Sequence, residues 1–193
     1  MILGLFEQVE VVHAFYDGFS RFVSIHSGIG LGGVIVQGRV GVHDIDLQPD
    51  GQILLATETG IYRVDANGNP PSAIVTGDFR GVSAIDNSDF LAVSADGTVQ
   101  IHDSVGEIVG GSQESRGGQV QSILEIGDNQ TLVVGRSGTG DFFVRRYRPS
   151  GIIDTNFGVD GETVLSVQSG IDVAYRAALQ ADGKILVAGY SQV

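Results

Sequence analysis

The hydrophobic and polar positions of this chain repeat a short pattern: a mixed strand, a tight turn and a nearly continuous apolar strand. Four segments share the pattern, and they begin at Val42, Val82, Val120 and Ala174. Their central parts read IDLQPDGQILLA, AIDNSDFLAV, ILEIGDNQTLVV and ALQADGKILVAG. Each turn carries Asp, Asn or Gly, which tolerate left-handed backbone or bond to their own main chain. The pattern therefore predicts four β-hairpins.

The strand after each turn, such as residues 53–56 or 185–188, is apolar on both faces. This is typical of a strand sandwiched between neighbouring sheets. A third strand also recurs and ends in a glycine turn, at Gly68, Gly106 and Gly151. Units of roughly 40 residues with three or four short strands have the size of β-propeller blades, and no helical periodicity competes with them. The predicted fold class is all-β, a β-propeller-like array of about four to five blades of antiparallel strands.

The repeats predict one β-propeller-like domain over residues 1–193. The predicted units are 1–41, 42–81, 82–119, 120–172 and 173–193. The first unit is a weak copy with a turn at Asp17-Gly18, and the last unit is partial. Two interpretations stay open: the sequence is part of a longer repeat protein, or its termini meet in a small ring. An unpaired terminal strand would be a natural place for self-association.

Composition supports many tight turns and excludes several chemical classes. The chain has 29 glycines, four prolines and no cysteine, so disulfides, thiolate metal sites and cysteine nucleophiles are excluded. The net charge is −12 and Lys184 is the only lysine, so the surface repels phosphate backbones and nucleic acid is not an expected partner. No signal peptide is visible, because the start lacks a basic segment and reaches Glu7 after a short apolar run. The weakly polar run at 28–36 is too short for a membrane span.

The last third of the chain resembles a known repeat family. From Phe142 it reads FFVRRYRPSGIIDTNFGVDGETVLSV and continues to QADGKILVAG. This resembles the bacterial delta-60 repeat family, in which a strand and a glycine turn precede LDTSFGGDG and then QPDGKIVVAG. The matching positions are Tyr147, Gly151, Asp154, Phe157, Gly158, Asp160, Gly161, Gln180, Asp182, Gly183, Lys184, Val187, Ala188 and Gly189. The copies within 42–113 lack the DTNFG insert and match in the hairpin alone.

The resemblance implies a propeller-like, non-catalytic repeat of large bacterial exported or surface proteins. It therefore implies an extracellular or bacterial-surface location. It implies no particular ligand, so a protein or glycan partner of unknown identity is the expectation.

The loop DTNFGVDGE carries oxygen ligands at alternating positions, on Asp154, Asn156, Asp160 and Glu162. Closely spaced carboxylates and carbonyls suit calcium, and the spacing is similar to that of an EF-hand loop. However, the glutamate is not at position 12 and no helices flank the loop, and the family resemblance explains Asp154 and Asp160 as turn formers. A calcium site and a purely structural turn both stay open, and no other cofactor is expected.

Three acidic residues, Asp46, Asp86 and Glu125, recur at similar places in the first strand of three units. The innermost strands of a propeller line its central channel, so these residues are a candidate ring for a cation or a basic partner. The fourth unit breaks the series, with Ala178 or Leu179 at that place.

Arg145, Arg146 and Arg148 surround Tyr147 and form the one basic cluster of the sequence. They are candidates to bind an acidic glycan or the carboxylates of a partner. The alternative is that arginines on an edge strand prevent aggregation or balance neighbouring acidic charge.

Two His-Asp pairs, His43-Asp44 and His102-Asp103, invite a catalytic interpretation because a carboxylate often orients a catalytic histidine. Adjacent residues of a strand point to opposite faces, so we expect histidines bonded to backbone instead. Two further histidines in the weak N-terminal copy complete no three-ligand zinc set.

The sequence leaves three functions open. The first is a non-catalytic binding or structural scaffold, with function carried by the loops of successive blades. The second is a propeller enzyme of the lyase, lactonase or glycosidase type, with a site at the channel mouth. The third is a segment of a larger surface or fibre assembly.

Overall fold

The computed structural model contains almost exclusively β-structure. It describes residues 11–16, 21–27, 30–36, 41–64, 72–86, 88–112, 115–167 and 169–192. Within these ranges it forms five antiparallel sheets, numbered sheet 1 to sheet 5 along the chain. The all-β, propeller-like fold class predicted from the sequence is confirmed.

Each sheet contains strands that are consecutive in sequence. Sheet 1 contains β1 (Val11–Tyr16), β2 (Arg21–Ser27) and β3 (Gly30–Val36). Sheet 2 contains β4 (Val42–Leu47), β5 (Ile53–Thr57), β6 (Gly60–Val64) and β7 (Ser72–Thr76). Sheet 3 contains β8 (Phe79–Ala84), β9 (Phe90–Ser94), β10 (Val99–His102) and β11 (Ile108–Ser112). Sheet 4 contains β12 (Gln119–Ile126), β13 (Gln130–Arg136), β14 (Phe142–Tyr147) and β15 (Glu162–Leu165), and sheet 5 contains β16 (Asp172–Leu179) and β17 (Ile185–Ser191).

The strands of every sheet follow one another in space as they do along the chain. The four predicted hairpins are β4–β5, β8–β9, β12–β13 and β16–β17. Gly51 and Gly183 close the Asp-Gly turns with positive φ, 85° and 81°, which costs glycine little. The Asp17-Gly18 turn predicted before β2, and Asn87 of the second hairpin turn, lie outside the described residues.

A β-bulge recurs at the same place in the first strand of four sheets. The pairing with the second strand skips one residue each time, and these residues are His43, Arg80, Gln121 and Tyr175. A bulge bends its strand and increases the local twist. The repeated bulge shows that the sheets share one backbone design despite their different sequences.

The apolar core lies between successive sheets. Leu54 and Ile61 of sheet 2 pack with Phe79 and Phe90 of sheet 3. The other face of sheet 3 packs against sheet 4 through a cluster of Leu91, Val93, Val99, Val120, Val133, Phe143 and Tyr147. A further cluster joins sheet 4 to sheet 5, and its buried members are Leu132, Val134, Val144 and Ala174. The second strands β9 and β13 are therefore apolar on both faces because a sheet covers each face.

The first strands of sheets 2 to 5 contact one another in turn, β4 with β8, β8 with β12 and β12 with β16. At Gly81 of β8 the approach is so close that a Cβ atom would lie 2.5 Å from Cγ2 of Ile123 on β12. The described sheets form an open series and do not close into a ring. The division of the chain into blade units stays a prediction. Among the described residues, no helix has the length and apolar character needed to cross a membrane.

We expect Leu132→Ala to lower the free energy of unfolding by about 2–5 kcal/mol, because it removes a fully buried side chain between two sheets. Leu186→Ala is the matched control, since Leu186 is 53% exposed. Urea unfolding followed by circular dichroism measures both values. Equal losses in the two variants would contradict a core between the sheets.

Candidate functional site on the inner strands

Two carboxylates of β4 bind the backbone of the next sheet. Oδ2 of Asp44 accepts a hydrogen bond from the Val82 N–H at 3.1 Å, and Oδ2 of Asp46 accepts one from the Ala84 N–H at 2.7 Å. β8 is the edge strand of sheet 3, so its outward N–H groups have no strand partner on this side. Asp44 and Asp46 lie two residues apart and therefore reach the same neighbour. They join sheet 2 to sheet 3.

Burial raises the pKa of Asp44 to about 6. The hydrogen bonds from the Val82 and Ile45 N–H groups oppose this effect, and the charge of nearby Asp46 adds to it. Arg176 of β16 also lowers the pKa of Asp44 through its charge. Asp44 is thus a carboxyl group that takes up a proton near neutral pH, a property that functional sites often share.

The bulge residue His43 meets the bulge residue of the next sheet. Nη1 of Arg80 lies 2.7 Å from Nε2 of His43, and Nη2 of Arg80 forms an ion pair with Asp78 at 3.0 Å. A guanidinium group can only donate, so Nε2 of His43 accepts in this contact. His43 and Asp44 thus contact different groups of sheet 3, which does not favour a catalytic His-Asp pair.

His102 is a buried histidine of the structural kind. Its Nδ1 lies 2.9 Å from the carbonyl oxygen of Gly106, and its ring stacks on Phe90 at a centroid distance of 5.5 Å. Its neighbour Asp103 accepts hydrogen bonds from the Val105 and Glu107 N–H groups. The two residues therefore support their own turn, as the structural interpretation predicts.

The three members of the predicted acidic ring have different surroundings. Asp46 bonds to β8, whereas the exposed Asp86 accepts hydrogen bonds from the Asp89 and Ser88 N–H groups, which lower its pKa. Oε2 of Glu125 accepts a hydrogen bond from Ser83 Oγ at 3.4 Å. Asp46 and Glu125 thus approach β8 from opposite sides, while Asp86 holds its own turn. Their role as a binding ring stays a prediction.

Sequence reasoning missed the polar links that run through Gln48 and Arg63. The buried Gln48 donates from Nε2 to the carbonyl oxygen of Asp86 at 3.0 Å and accepts from Nε of Arg63 at 2.9 Å. Arg63 also donates to the carbonyl oxygen of Ser104 at 2.7 Å, and its guanidinium lies over Phe90. These contacts join sheet 2 to the turns of sheet 3. No motif in the sequence marks them, because each residue belongs to an ordinary strand end.

Arg145 of the predicted basic cluster is buried. Its Nη1 and Nη2 atoms donate to the carbonyl oxygens of Gly117 and Arg116, and Nη2 lies 3.2 Å from Oε1 of Glu162. Its guanidinium also lies 4.1 Å from the ring centroid of Phe143. Arg145 therefore fixes the loop before β12 and balances the charge of Glu162. The interpretation as an edge-strand arginine does not fit, because β14 lies between β13 and β15.

Arg146 and Arg148 both pair with Asp154, which is 4% exposed. Nη2 of Arg146 lies 2.7 Å from Oδ2 of Asp154, and Nη2 of Arg148 lies 3.3 Å from Oδ1. Burial alone would raise the pKa of Asp154, but the Asn156 N–H and the two arginines outweigh it and hold the pKa below its usual range.

The predicted calcium ligands thus face cations and backbone groups. Asp154 is held by two arginines and Glu162 by Arg145, while the exposed Asp160 has a φ of 51° at the turn and its carbonyl oxygen accepts from Arg116. In the part of the chain that the structure describes, no three His, Asp or Glu side chains gather where they could hold a metal ion. The calcium site stays a prediction, and the observed contacts favour the structural turn.

Comparisons with known proteins support the fold. A family model described as a domain of unknown function (DUF5122) beta-propeller matches residues 180–193. No curated protein matches the chain. The WD40 beta propeller domain of Doa1 is similar with 14% identity and a TM-score of 0.61, over 90% of this chain and 58% of that one.

Two further solved structures show the same likeness. YCF48 bound to D1 peptide has 14% identity and a TM-score of 0.60, over 90% of this chain and 57% of that one. A protein of unknown function from Bacteroides caccae has 16% identity and a TM-score of 0.54, over 92% and 63%. This chain therefore spans less than two thirds of each of the three. Fold and comparisons together place it in the class of β-propeller-like repeat proteins.

We expect the contribution of Asp44 to the stability of the protein to fall as the pH rises from about 4 to about 6.5. Its pKa is raised in the folded state, so the protonated form stabilises the fold, and this contribution is lost as the pH rises through about 6. Asp44→Asn keeps an acceptor for Val82 and removes the ionisation. Above pH 6.5 this variant should be more stable than the wild type by about 2–3 kcal/mol, since a difference of one in pKa corresponds to about 1.4 kcal/mol.

Asp86→Asn should have the opposite dependence, because the pKa of Asp86 is lowered by backbone donors. This variant should lose stability at neutral pH, and the loss should vanish in acid as the wild-type Asp86 becomes protonated. Urea unfolding across the pH range measures both variants. Parallel curves for the wild type and Asp44→Asn would show that Asp44 titrates normally.

We expect Asp154→Asn to lower the Tm clearly and Asp160→Asn to leave it nearly unchanged. The first change leaves Arg146 and Arg148 without their shared carboxylate, whereas Asp160 is exposed and Asn tolerates its left-handed backbone. Differential scanning calorimetry with calcium and with a chelator measures both effects. A calcium-dependent rise in Tm that Asp160→Asn removes would instead establish the calcium site.

Proposed function

We propose that this chain is a non-catalytic binding or structural module built of propeller blades. The observation that carries the proposal is that charged side chains at the contacts between sheets are bonded to groups of the protein itself. Asp46, Arg63 and Arg145 are engaged by backbone or side-chain groups of the same protein. Such residues stabilise the sheets, and the loops that connect the strands are left to carry recognition.

The proposed partner is a protein or a peptide rather than a nucleic acid. The net charge of −12 repels phosphate backbones. YCF48, whose propeller fold this chain shares in outline, has a structure bound to D1 peptide. A glycan partner is the second possibility within the same class of function.

We further propose that the chain belongs to bacterial exported or surface proteins of the delta-60 type. The match of the beta-propeller family model at 180–193 coincides with the QADGKILVAG segment on which that resemblance depends. The DTNFG insert of the same family forms the loop in which Asp154 pairs with two arginines. An extracellular or surface location follows from this assignment.

One observation favours the alternative of a propeller enzyme. The raised pKa of Asp44 would suit a general acid, and Glu125 lies on the other side of β8. A glycosidase needs two such carboxyl groups about 5–10 Å apart in one pocket. The engagement of Asp44 by the Val82 N–H favours the structural role.

Turnover assays distinguish the two functions. The substrates are aryl glycosides, lactones and a uronate polysaccharide. We expect the full chain to convert each of them no faster than the Asp44→Asn, Glu125→Gln double variant does. Product formation is followed by absorbance between pH 4 and pH 8. Turnover that disappears in the double variant, with an unchanged circular dichroism spectrum, would overturn the non-catalytic proposal.

A further inference from the structure

The contact between His43 and Arg80 links the first strands of sheets 2 and 3. His43 is the bulge residue of β4 and Arg80 is the bulge residue of β8, so the two side chains leave their ladders at equivalent points. Both residues are half-buried. β4 and β8 belong to different sheets and share no ladder, so side chains supply the polar contacts between them. The contact thus belongs to the same set of links as the hydrogen bonds of Asp44 and Asp46.

This contact requires a neutral imidazole ring on His43. Nη1 of Arg80 lies 2.7 Å from Nε2 of His43 and 3.3 Å from Nδ1. A guanidinium group only donates, so one of the two ring nitrogens must accept. A neutral imidazole has one nitrogen that accepts, whereas an imidazolium carries N–H on both and has none. A proton on His43 therefore replaces a hydrogen bond by two donors and two positive charges in contact.

The charged groups around the contact do not remove this conflict. Asp78 already pairs with Nη2 of the same guanidinium at 3.0 Å. Asp44, the neighbour of His43 on β4, takes up its own proton near pH 6, because burial raises its pKa to about 6. Two further groups, Asp46 on β4 and Arg176 on β16, act on Asp44 with opposite charges. In mild acid these surroundings offer His43 no net negative charge.

We propose that the contact between His43 and Arg80 is an acid-sensitive switch, which opens when the ring of His43 takes up a proton. The folded protein favours the neutral ring, so the unfolded chain binds more protons in mild acid. The contribution of this contact to stability is complete above about pH 7. It is lost as the pH falls below about 6.5, where an ordinary imidazole takes up its proton. This direction is opposite to that of Asp44, and the switch goes beyond the proposed scaffold function.

Imidazole NMR of the full chain tests the proton binding directly. The histidine ring nitrogens are followed from pH 8 to pH 5, and the signal of His43 is assigned by its absence from His43→Gln. Arg80→Gln is the matched comparison, because the amide of glutamine can accept as well as donate and carries no charge. We expect the titration midpoint of His43 to lie about one pH unit lower in the wild type than in Arg80→Gln, which is about a tenfold difference in proton affinity. Equal midpoints, or a higher midpoint in the wild type, overturn the proposal.

Urea unfolding of the wild type, His43→Gln, Arg80→Gln and the double variant tests the effect on the fold. In His43→Gln the amide oxygen can accept from Arg80 at every pH. We expect the unfolding constant of the wild type relative to His43→Gln to rise about tenfold from pH 7.5 to pH 5, and to rise much less in the Arg80→Gln background. Asp44 and His102 are present in all four proteins, so these ratios isolate His43. Parallel pH curves for the wild type and His43→Gln, or an equal pH dependence in both backgrounds, overturn the proposal.

Discussion

Burial of apolar strands between successive sheets is the constraint on which this structure depends. A small antiparallel sheet of two to four strands leaves apolar faces in water and is marginal alone. Leu54 and Phe90 on one side of sheet 3, and Leu91 and Val133 on the other, show how each interface is filled. The second strands β9 and β13 each contribute to two interfaces at once, which explains why their central residues are apolar.

Polar contacts add a second layer of connection at the inner edges. First strands meet as neighbours without sharing a ladder, so their backbone donors need other acceptors. Asp44 and Asp46 supply them for β8, and the desolvation this requires appears as the raised pKa of Asp44. In the same way, the buried Arg145 donates hydrogen bonds to carbonyl oxygens of the loop before β12. The charged groups at these positions stabilise the contacts between sheets.

Much of this fold could be predicted from the sequence because its signals are local. Each hairpin is identified by an alternating strand, an Asp-Gly or similar turn and an apolar run, and these three signals lie within a few residues of one another in the sequence. The partners of Asp44, Gln48 and Arg63 could not be predicted, since they lie on the next sheet and depend on how the sheets are offset. The bulges were missed for a related reason: an extra residue in a ladder leaves no mark in a pattern read from one strand.

The acidic ring shows the same limit for the candidate site. Asp46 and Asp86 look equivalent in the sequence, yet Asp46 lies within β4, three residues after the bulge residue, and reaches β8. Asp86 lies six residues after the bulge residue of β8, beyond the end of that strand, and closes a turn. Arg146 and Asp154 lie close in sequence but were assigned to separate sites, one for an anion and one for a cation. In the structure the two residues form an ion pair with each other, so the predicted anion site and the predicted cation site share this contact.

The recurring bulge has a consequence for how such a protein can diversify. Because the bulged residue stands outside the ladder, its identity is not constrained by strand pairing, and the four positions hold a histidine, an arginine, a glutamine and a tyrosine. An imidazole, a guanidinium, an amide and a phenol are thus presented by the same main-chain geometry. Duplicated units can acquire new chemistry at this position by single substitutions while their architecture is inherited intact.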